Sequence, residues 1–399
     1  MGSEVAASDR QCQKSFPEQV FNNCCRRRDL EVRQSKNNMA NIELPSPPTD
    51  VVSSVRFSPD NSKLAVGSWD RNVYIYARSQ DPAQPWSLNE KIEYDAPVLD
   101  VCWSPDSTSI FAVGLGQDVI QYNLQDESQN KVVLSTHDKA SNKIAYSAQF
   151  DILISTGWGG TMHIHDPQSR RHVNVSLPAK PFALSLSSNR AVVAMAERKV
   201  WVYDLSALKM LVEQGGETAQ TQQPMNVDPW QQRESSLKFM TRAIACMPDA
   251  TGFATSSIEG RVGVEWFDPE LEKDTYAFKC HRDKQTIATD EGEQEEVDVV
   301  YPVNALAFHP TYGTFATGGG EGSIVIWDPK TKRRLKQLPQ LPSSVAAMDF
   351  SSDGSLLAVG ISPGFEDGKE TDEPVPDLIK VVVREISATE AKGKPAKEK

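Results

Sequence analysis

The sequence predicts an all-β protein, a seven-bladed β-propeller whose ring is closed by its N-terminal strand pairing with the last blade. Three observations carry this expectation. A strand–turn–strand–turn–strand pattern recurs seven times along 399 residues. Its third strands end at Tyr76, Tyr122, His165, Tyr203, Trp266 and Trp327, and the first three spacings, 46, 43 and 38 residues, fit a four-stranded blade of about 40–45 residues. Composition is 39% hydrophobic and 8% aromatic, enough for a packed core.

The copies run in order. The first is VSSVRFSPDNSKLAVGSWDRNVYIY (52–76) and the second VLDVCWSPDSTSIFAVGLGQDVIQYNL (98–124). NKIAYSAQFDILISTGWGGTMHIHDP (142–167) and PFALSLSSNRAVVAMAERKVWVYDL (181–205) follow. TRAIACMPDATGFATSSIEGRVGVEWFDP (241–269) and PVNALAFHPTYGTFATGGGEGSIVIWDP (302–329) make the fifth and sixth. The seventh, SSVAAMDFSSDGSLLAVGISP, starts at 343 and is completed by DLIKVVVREI (377–386). A meander that cannot bury both faces alone must stack on its neighbours, and seven stacked copies close a ring. The last blade lacks one strand. The segment ANIEL, ahead of the first copy, is expected to supply it beside 378–385 and remove the final open edge.

Two spacings are long, 63 and 61 residues, and hold polar inserts at 215–229 and 286–298 that read as mobile loops. A third insert spans 363–376. Residues 1–39 and 388–399 read as disordered extensions outside a 40–387 propeller. The net charge of −12 is local: 286–298 carries −6 and 365–377 carries −5, leaving the rest at −1. That leaves no general basic surplus for direct nucleic-acid binding, although a local basic pocket remains open. No stretch approaches 18 consecutive apolar residues, so no membrane-spanning helix is expected. The six cysteines have no metal-ligand spacing and read as reduced thiols.

No catalytic constellation stands out, and neither a cofactor nor an enzymatic activity is expected. The serines of FSPD and FSSDG sit in turn contexts, and GGGEG (318–322) joins two strands rather than cradling phosphate. His163 and His165 alternate on a strand and share one face; a zinc pair would need a third ligand that the sequence does not supply, and ordinary packing is the alternative.

Function is therefore sought on a loop face. In an antiparallel meander, the start of the first strand and the turn between the second and third lie at the same end. That end collects Trp69, Asp70 and Arg71 from blade one and Trp158 from blade three. Blade five supplies Lys238, Arg242, Glu259, Arg261, His281 and Arg282, and blade six Tyr301 and Glu321. A Trp in an exposed turn either packs on a neighbouring blade or anchors a ligand. The cations of blade five either pair locally with Glu234 or Glu259 or capture a carboxylate or phosphate.

The strings ESSLKFMTR (234–242), SSIEGRVGVEWFDP (256–269), YAFKCHR (276–282), YPVNALAFHPTYGTFATGG (301–319) and IWDPKTKRRL (326–335) resemble the third budding-uninhibited-by-benzimidazole family, WD-repeat propellers of the mitotic spindle checkpoint. The likeness covers about 50–386, is tightest in blades five and six, and points to a fungal version. It implies a non-enzymatic, monomeric adaptor of the nucleus, kinetochore and cytoplasm with two ligands. One is the acidic GLEBS segment of a checkpoint kinase and its kinase-related partner. It would meet Trp69, Arg71, Trp158, Arg242, Glu259, Arg261, Arg282 and Tyr301. The other is a threonine-phosphorylated Met-Glu-Leu-Thr repeat of the kinetochore scaffold, its phosphate held by Lys238, Arg242 and Arg261. Alternatives are the sister nuclear-pore propeller of messenger-RNA export, which binds the same kind of segment, and a ubiquitin-ligase substrate receptor. A propeller hydrolase would need an acid–base–nucleophile set that is not found.

Overall fold

The computed structural model describes residues 41–125, 131–219, 222–288, 294–364 and 375–393. The expectations for residues 1–39, for most of the 363–376 insert and for 394–399 fall outside them. The strands make seven four-stranded antiparallel sheets and one two-stranded hairpin. Strand β1 (Asn41–Glu43) precedes blade one, which is β2 (Val52–Phe57), β3 (Lys63–Ser68), β4 (Asn72–Arg78) and β5 (Trp86–Glu93). Blade two is β6 (Val98–Trp103), β7 (Ser109–Gly114), β8 (Asp118–Asn123) and β9 (Lys131–Thr136). Blade three is β10 (Ser141–Ser147), β11 (Ile152–Gly157), β12 (Thr161–Asp166) and β13 (Arg171–Ser176). Blade four is β14 (Pro181–Leu186), β15 (Arg190–Met195), β16 (Lys199–Asp204) and β17 (Gln231–Glu234). Blade five is β18 (Thr241–Cys246), β19 (Gly252–Ser257), β20 (Arg261–Trp266) and β21 (Tyr276–Lys279), followed by the hairpin β22 (Arg282–Ala288) and β23 (Gln294–Val300). Blade six is β24 (Val303–Phe308), β25 (Phe315–Gly319), β26 (Ile324–Asp328) and β27 (Arg333–Gln337). Blade seven is β28 (Val345–Phe350), β29 (Leu356–Ile361) and β30 (Lys380–Glu385), with β1 as its outer strand.

Each inner strand packs beside that of the next blade, and β28 returns to β2, so the ring closes. Closure is the expected one. β1 pairs antiparallel with β30 through Asn41↔Arg384, Ile42↔Val383 and Glu43↔Val382. The core is accordingly seven clusters, one between each pair of blades, from Leu64 and Ala358 at the seven–one seam to Ala316 and Val359 at the six–seven seam. The second strands end in small residues because the next blade's inner strand lies against them. A Cβ on Gly318 would stand 2.3 Å from Val345 Cγ1. The Ser-Asp turns repeat one bond: Ser58, Ser104 and Ser351 each donate to the aspartate two residues on, Asp60, Asp106 and Asp353.

Three segments differ from expectation. The acidic run at 286–298 is no plain loop: its flanks form the β22–β23 ladder, paired from Arg282↔Val300 to Ala288↔Gln294. The alternating VDVV carries β propensity, and Lys284 meets Glu296 across the strands at 3.0 Å. The insert at 215–229 lies along the outer edge of β13. His172 N donates to Glu217 O and Met225 N donates to Asn174 O, at 2.9 and 2.8 Å, which covers an otherwise open edge. Ahead of it stands an unanticipated helix, α1 (Leu205–Gly215). It is capped by Asp204, which accepts from Ser206 N and Ala207 N, and it buries Leu205, Leu208 and Val212. Finally, residues 388–391 form a short helix, α2 (Ala388–Ala391), rather than a free tail. Ala391 is buried, its carbonyl accepts from Thr314 Oγ1 at 2.7 Å, and Glu390 pairs with buried Arg384 at 3.0 Å.

Candidate functional site

The site begins with a backbone irregularity repeated seven times. In every inner strand the pairing register skips the second residue: Ser53, Leu99, Asn142, Phe182, Arg242, Asn304 and Ala346. A bulged residue leaves the ladder and its side chain is re-aimed. All seven line one cleft of about 620 Å³ at the end of the ring where the inner strands start. Arg242 is the only cation among them. Arg242 Nε and Nη2 donate to Asn304 Oδ1 at 3.1 and 2.9 Å, and Asn304 Nδ2 donates to Ser344 Oγ at 3.0 Å. The guanidinium is thus oriented by the next blade.

Trp69 and Trp158 line the same cleft. Trp69 is 43% exposed. Its turn is locked by Asp70, whose Oδ2 accepts from Thr49 N at 2.9 Å and Tyr74 OH at 2.7 Å, while Oδ1 accepts from Asn72 N at 3.1 Å. Burial pushes the Asp70 carboxyl up, but these bonds hold it below the usual carboxylate value. Trp158 is half-buried, with Lys180 Nζ 4.2 Å from its ring centre. Lys143, Lys180 and Met240 also line it and were not anticipated. Their signal was positional, since Lys180 and Met240 sit just before an inner-strand start and Lys143 just after the bulge of one.

The remaining candidates separate into two groups. Tyr301 joins Arg242 on a neighbouring cleft of about 780 Å³, with Ile258, Val300 and Glu321. Burial, then the charges of Asp283 and Glu321, raise its phenol above the ordinary value. Glu259, Arg261 and Arg282 engage one another at the blade-five turn instead. Arg261 Nε stands 3.2 Å from Glu259 Oε1, off hydrogen-bonding geometry, and Arg282 Nη2 donates to Glu259 O at 3.1 Å. Arg282 thereby ties down the turn. Glu234 pairs with Arg198 at 2.9 Å, and Lys238 is exposed without an ion pair among the described residues. Lys238, Arg242 and Arg261 share one end of blade five, because Thr241 pairs with Ser257 and Ile258 N donates to Met240 O. Arg71 is exposed in the blade-one turn at φ 67° and lines neither cleft.

His163 and His165 do share a face, within a buried group completed by His137 and His172. His137 and His163 stack at 3.7 Å. His137 Nε2 and His165 Nε2 both bond Ser155 Oγ, at 2.9 and 3.2 Å. Blade six repeats the arrangement with His281, Thr317 and Trp327, at 2.7 and 3.0 Å. These are blade ties. Among the described residues no group of three or more His, Cys, Asp or Glu is arranged to hold a metal ion.

Comparison with known proteins adds kinship to this geometry. A family model described as WD domain, G-beta repeat, matches residues 42–77 and 299–328. The chain is 39% identical over 366 residues to Mitotic checkpoint protein BUB3.1 of Arabidopsis thaliana, covering 89% of this chain and 96% of the relative. It is 36% identical to Mitotic checkpoint protein bub3 of Dictyostelium discoideum, covering 84% and 92%. It is also 30% identical to the Poly(A)+ RNA export protein of Schizosaccharomyces pombe, covering 89% and 93%.

Proposed function

Since the chain belongs to the Bub3 family of mitotic checkpoint WD-repeat propellers, we propose that it is a non-enzymatic adaptor that carries checkpoint kinases to unattached kinetochores. The cleft at the inner-strand starts receives the acidic GLEBS segment of a kinase or its kinase-related partner. Glutamates of that segment meet Arg242, and its apolar residues meet Trp69 and Trp158. Lys238, Arg242 and Arg261 take the phosphate of a Met-Glu-Leu-Thr repeat, and the protein works in the nucleus and at kinetochores.

One observation carries this reading: a single arginine among seven equivalent bulge positions opens onto a tryptophan-flanked cleft. A phosphothreonine brings about −2 charge and three acceptor oxygens, so a Lys–Arg pair discriminates it from the bare hydroxyl. Isothermal titration with phosphorylated and unphosphorylated repeat peptides tests it. Arg242→Ala and Lys238→Ala each lose about 1–3 kcal/mol toward the phosphorylated peptide only; unchanged affinity rejects the assignment. The likeness to an RNA export protein supports a second reading, a nuclear-pore export propeller gripping a nucleoporin's GLEBS segment. Purification from mitotically arrested cells separates the two by whether a kinase or a pore component accompanies the chain.

A further inference from the structure

Blade six carries a charge feature that the cleft does not use. Residues 330–336 hold Lys330, Lys332, Arg333, Arg334 and Lys336 and no acid, in a chain of net charge −12. Three of these, Arg333, Arg334 and Lys336, lie exposed on β27. Little local charge answers them. Lys330 stands 3.9 Å from Asp249 in an exposed pair, and Lys332 lies over the Tyr276 ring at 4.6 Å. Arg333 and Lys336 form no ion pair among the described residues. The short helix α2 packs against the same blade, and the chain leaves it through Lys392. The sequence continues with Lys394, Lys397 and Lys399.

The backbone is open as well. β27 is the last strand of its sheet, and among the described residues no strand pairs with its outer edge. Blade three, by contrast, has the edge of β13 covered by the bridges to Glu217 and Met225. A bare edge offers alternate N–H and C=O groups to an added strand, and its side chains at every second position share a face. A bulge between Arg334 and Lys336 shifts this alternation on β27: Arg333 and Lys336 stand opposite Asp328 and Ile326 and share one face, while Arg334 turns with Gln337 to the other.

We propose that the outer edge of blade six docks an extended acidic segment of a partner protein, which adds to β27 as a fifth strand. Backbone pairing supplies the alignment, and glutamates or aspartates on one face of the segment meet Arg333 and Lys336. A nucleic-acid strand fits less well, because among the described residues the large exposed aromatic rings, Trp69, Trp230 and Phe239, all lie on other blades and offer no stacking platform here. Lysine on an edge also prevents self-pairing, and the experiment separates that role from docking.

The test is fluorescence anisotropy on the full chain with a labelled peptide of alternating Glu and Val. The peptide binds. Affinity falls about tenfold or more in the Arg333→Ser/Arg334→Ser/Lys336→Ser variant and survives in Arg333→Lys/Lys336→Arg, while both keep the parent thermal melt. A peptide N-methylated at alternate backbone nitrogens loses binding. The proposal is overturned if the Glu-Val peptide does not bind, if the triple Ser variant or the N-methylated peptide binds as well as its parent, or if a single-stranded oligonucleotide of equal charge binds more tightly.

Discussion

Gly360 meets Val52 where the last blade returns to the first. A Cβ added there would stand 2.4 Å from Val52 Cγ1. Gly360→Ala is expected to cost about 1–3 kcal/mol by overpacking, read as a lower urea midpoint. A second change, Val52→Ala, should recover part of that loss by opening space at the same contact. The buried histidines set a pH dependence. Burial, and then their neighbours, lowers His137 to about 3 and holds His163 and His165 well below the ordinary value, while burial alone lowers His172 to about 4. The unfolded chain therefore takes up protons below about pH 6.5 that the folded chain refuses. Stability is full above that pH and falls as pH drops toward 4 and 3. Asp349 acts oppositely: burial raises it to about 6, so it favours the folded state as pH falls from 6 toward 4. Burial raises Glu265 as well and lowers His309, so two carboxyls oppose five imidazoles, and denaturation midpoints at pH 7 and pH 5 should show the net loss on acidification. At this scale Arg242, Trp69 and Trp158 were legible because their residue types are unusual in turns and strand starts. Leu99, Phe182 and Asn304 were not, since nothing in their types betrays a bulge.

At the scale of elements, the closing strand is short and its hold lies largely in one side chain. Leu44 follows β1, is buried at the seven–one seam, and donates its N–H to Val381 O at 2.8 Å. Leu44→Ala is expected to cost about 2–5 kcal/mol, measured by thermal or urea unfolding. A melt unchanged from the parent would remove β1 from any role in closure. The strand itself was readable from ANIEL, because a ring of meanders lacking one strand needs one from the other end. Helix α1 was readable too: Leu205, Leu208 and Val212 recur at helical spacing behind an Asp cap. It went unnoticed because the blade period directed attention to strands. The hairpin was missed for a different reason. Its acids dominate the composition, whereas VDVV and its cross-strand partners decide the conformation.

Across the whole molecule, neighbouring blades are stapled around the axis by polar side chains of the inner strands. Asp349 accepts from Phe57 N at 2.8 Å and Ser185 accepts from Cys246 N at 2.9 Å, each reaching into the next blade. Asp100 joins three blades. It accepts from Ser54 Oγ at 2.7 Å and stands 3.5 Å from Arg56 and 3.7 Å from Lys143. Asp100→Ala would leave those two cations facing each other near the axis without their shared acid. The expected cost is about 3–5 kcal/mol by equilibrium unfolding, with Asp100→Ala/Arg56→Met recovering part of it.

The order of residues was enough to establish the number of blades, the strand that locks them and the end of the ring where ligands are sought. Those follow from periodicity and from the antiparallel path of each meander, both of which are local. Which side chains face the cleft was decided only by assembly. The seven bulges aim Ser53 through Ala346 at a common axis, and that axis exists only once the blades are arranged around it. Assembly also gave the blade-five charges different partners at one end of the blade, Arg242 bonding Asn304 while Arg261 and Arg282 engage their own turn. Pairing across strands and blades depends on distances that linear spacing does not contain.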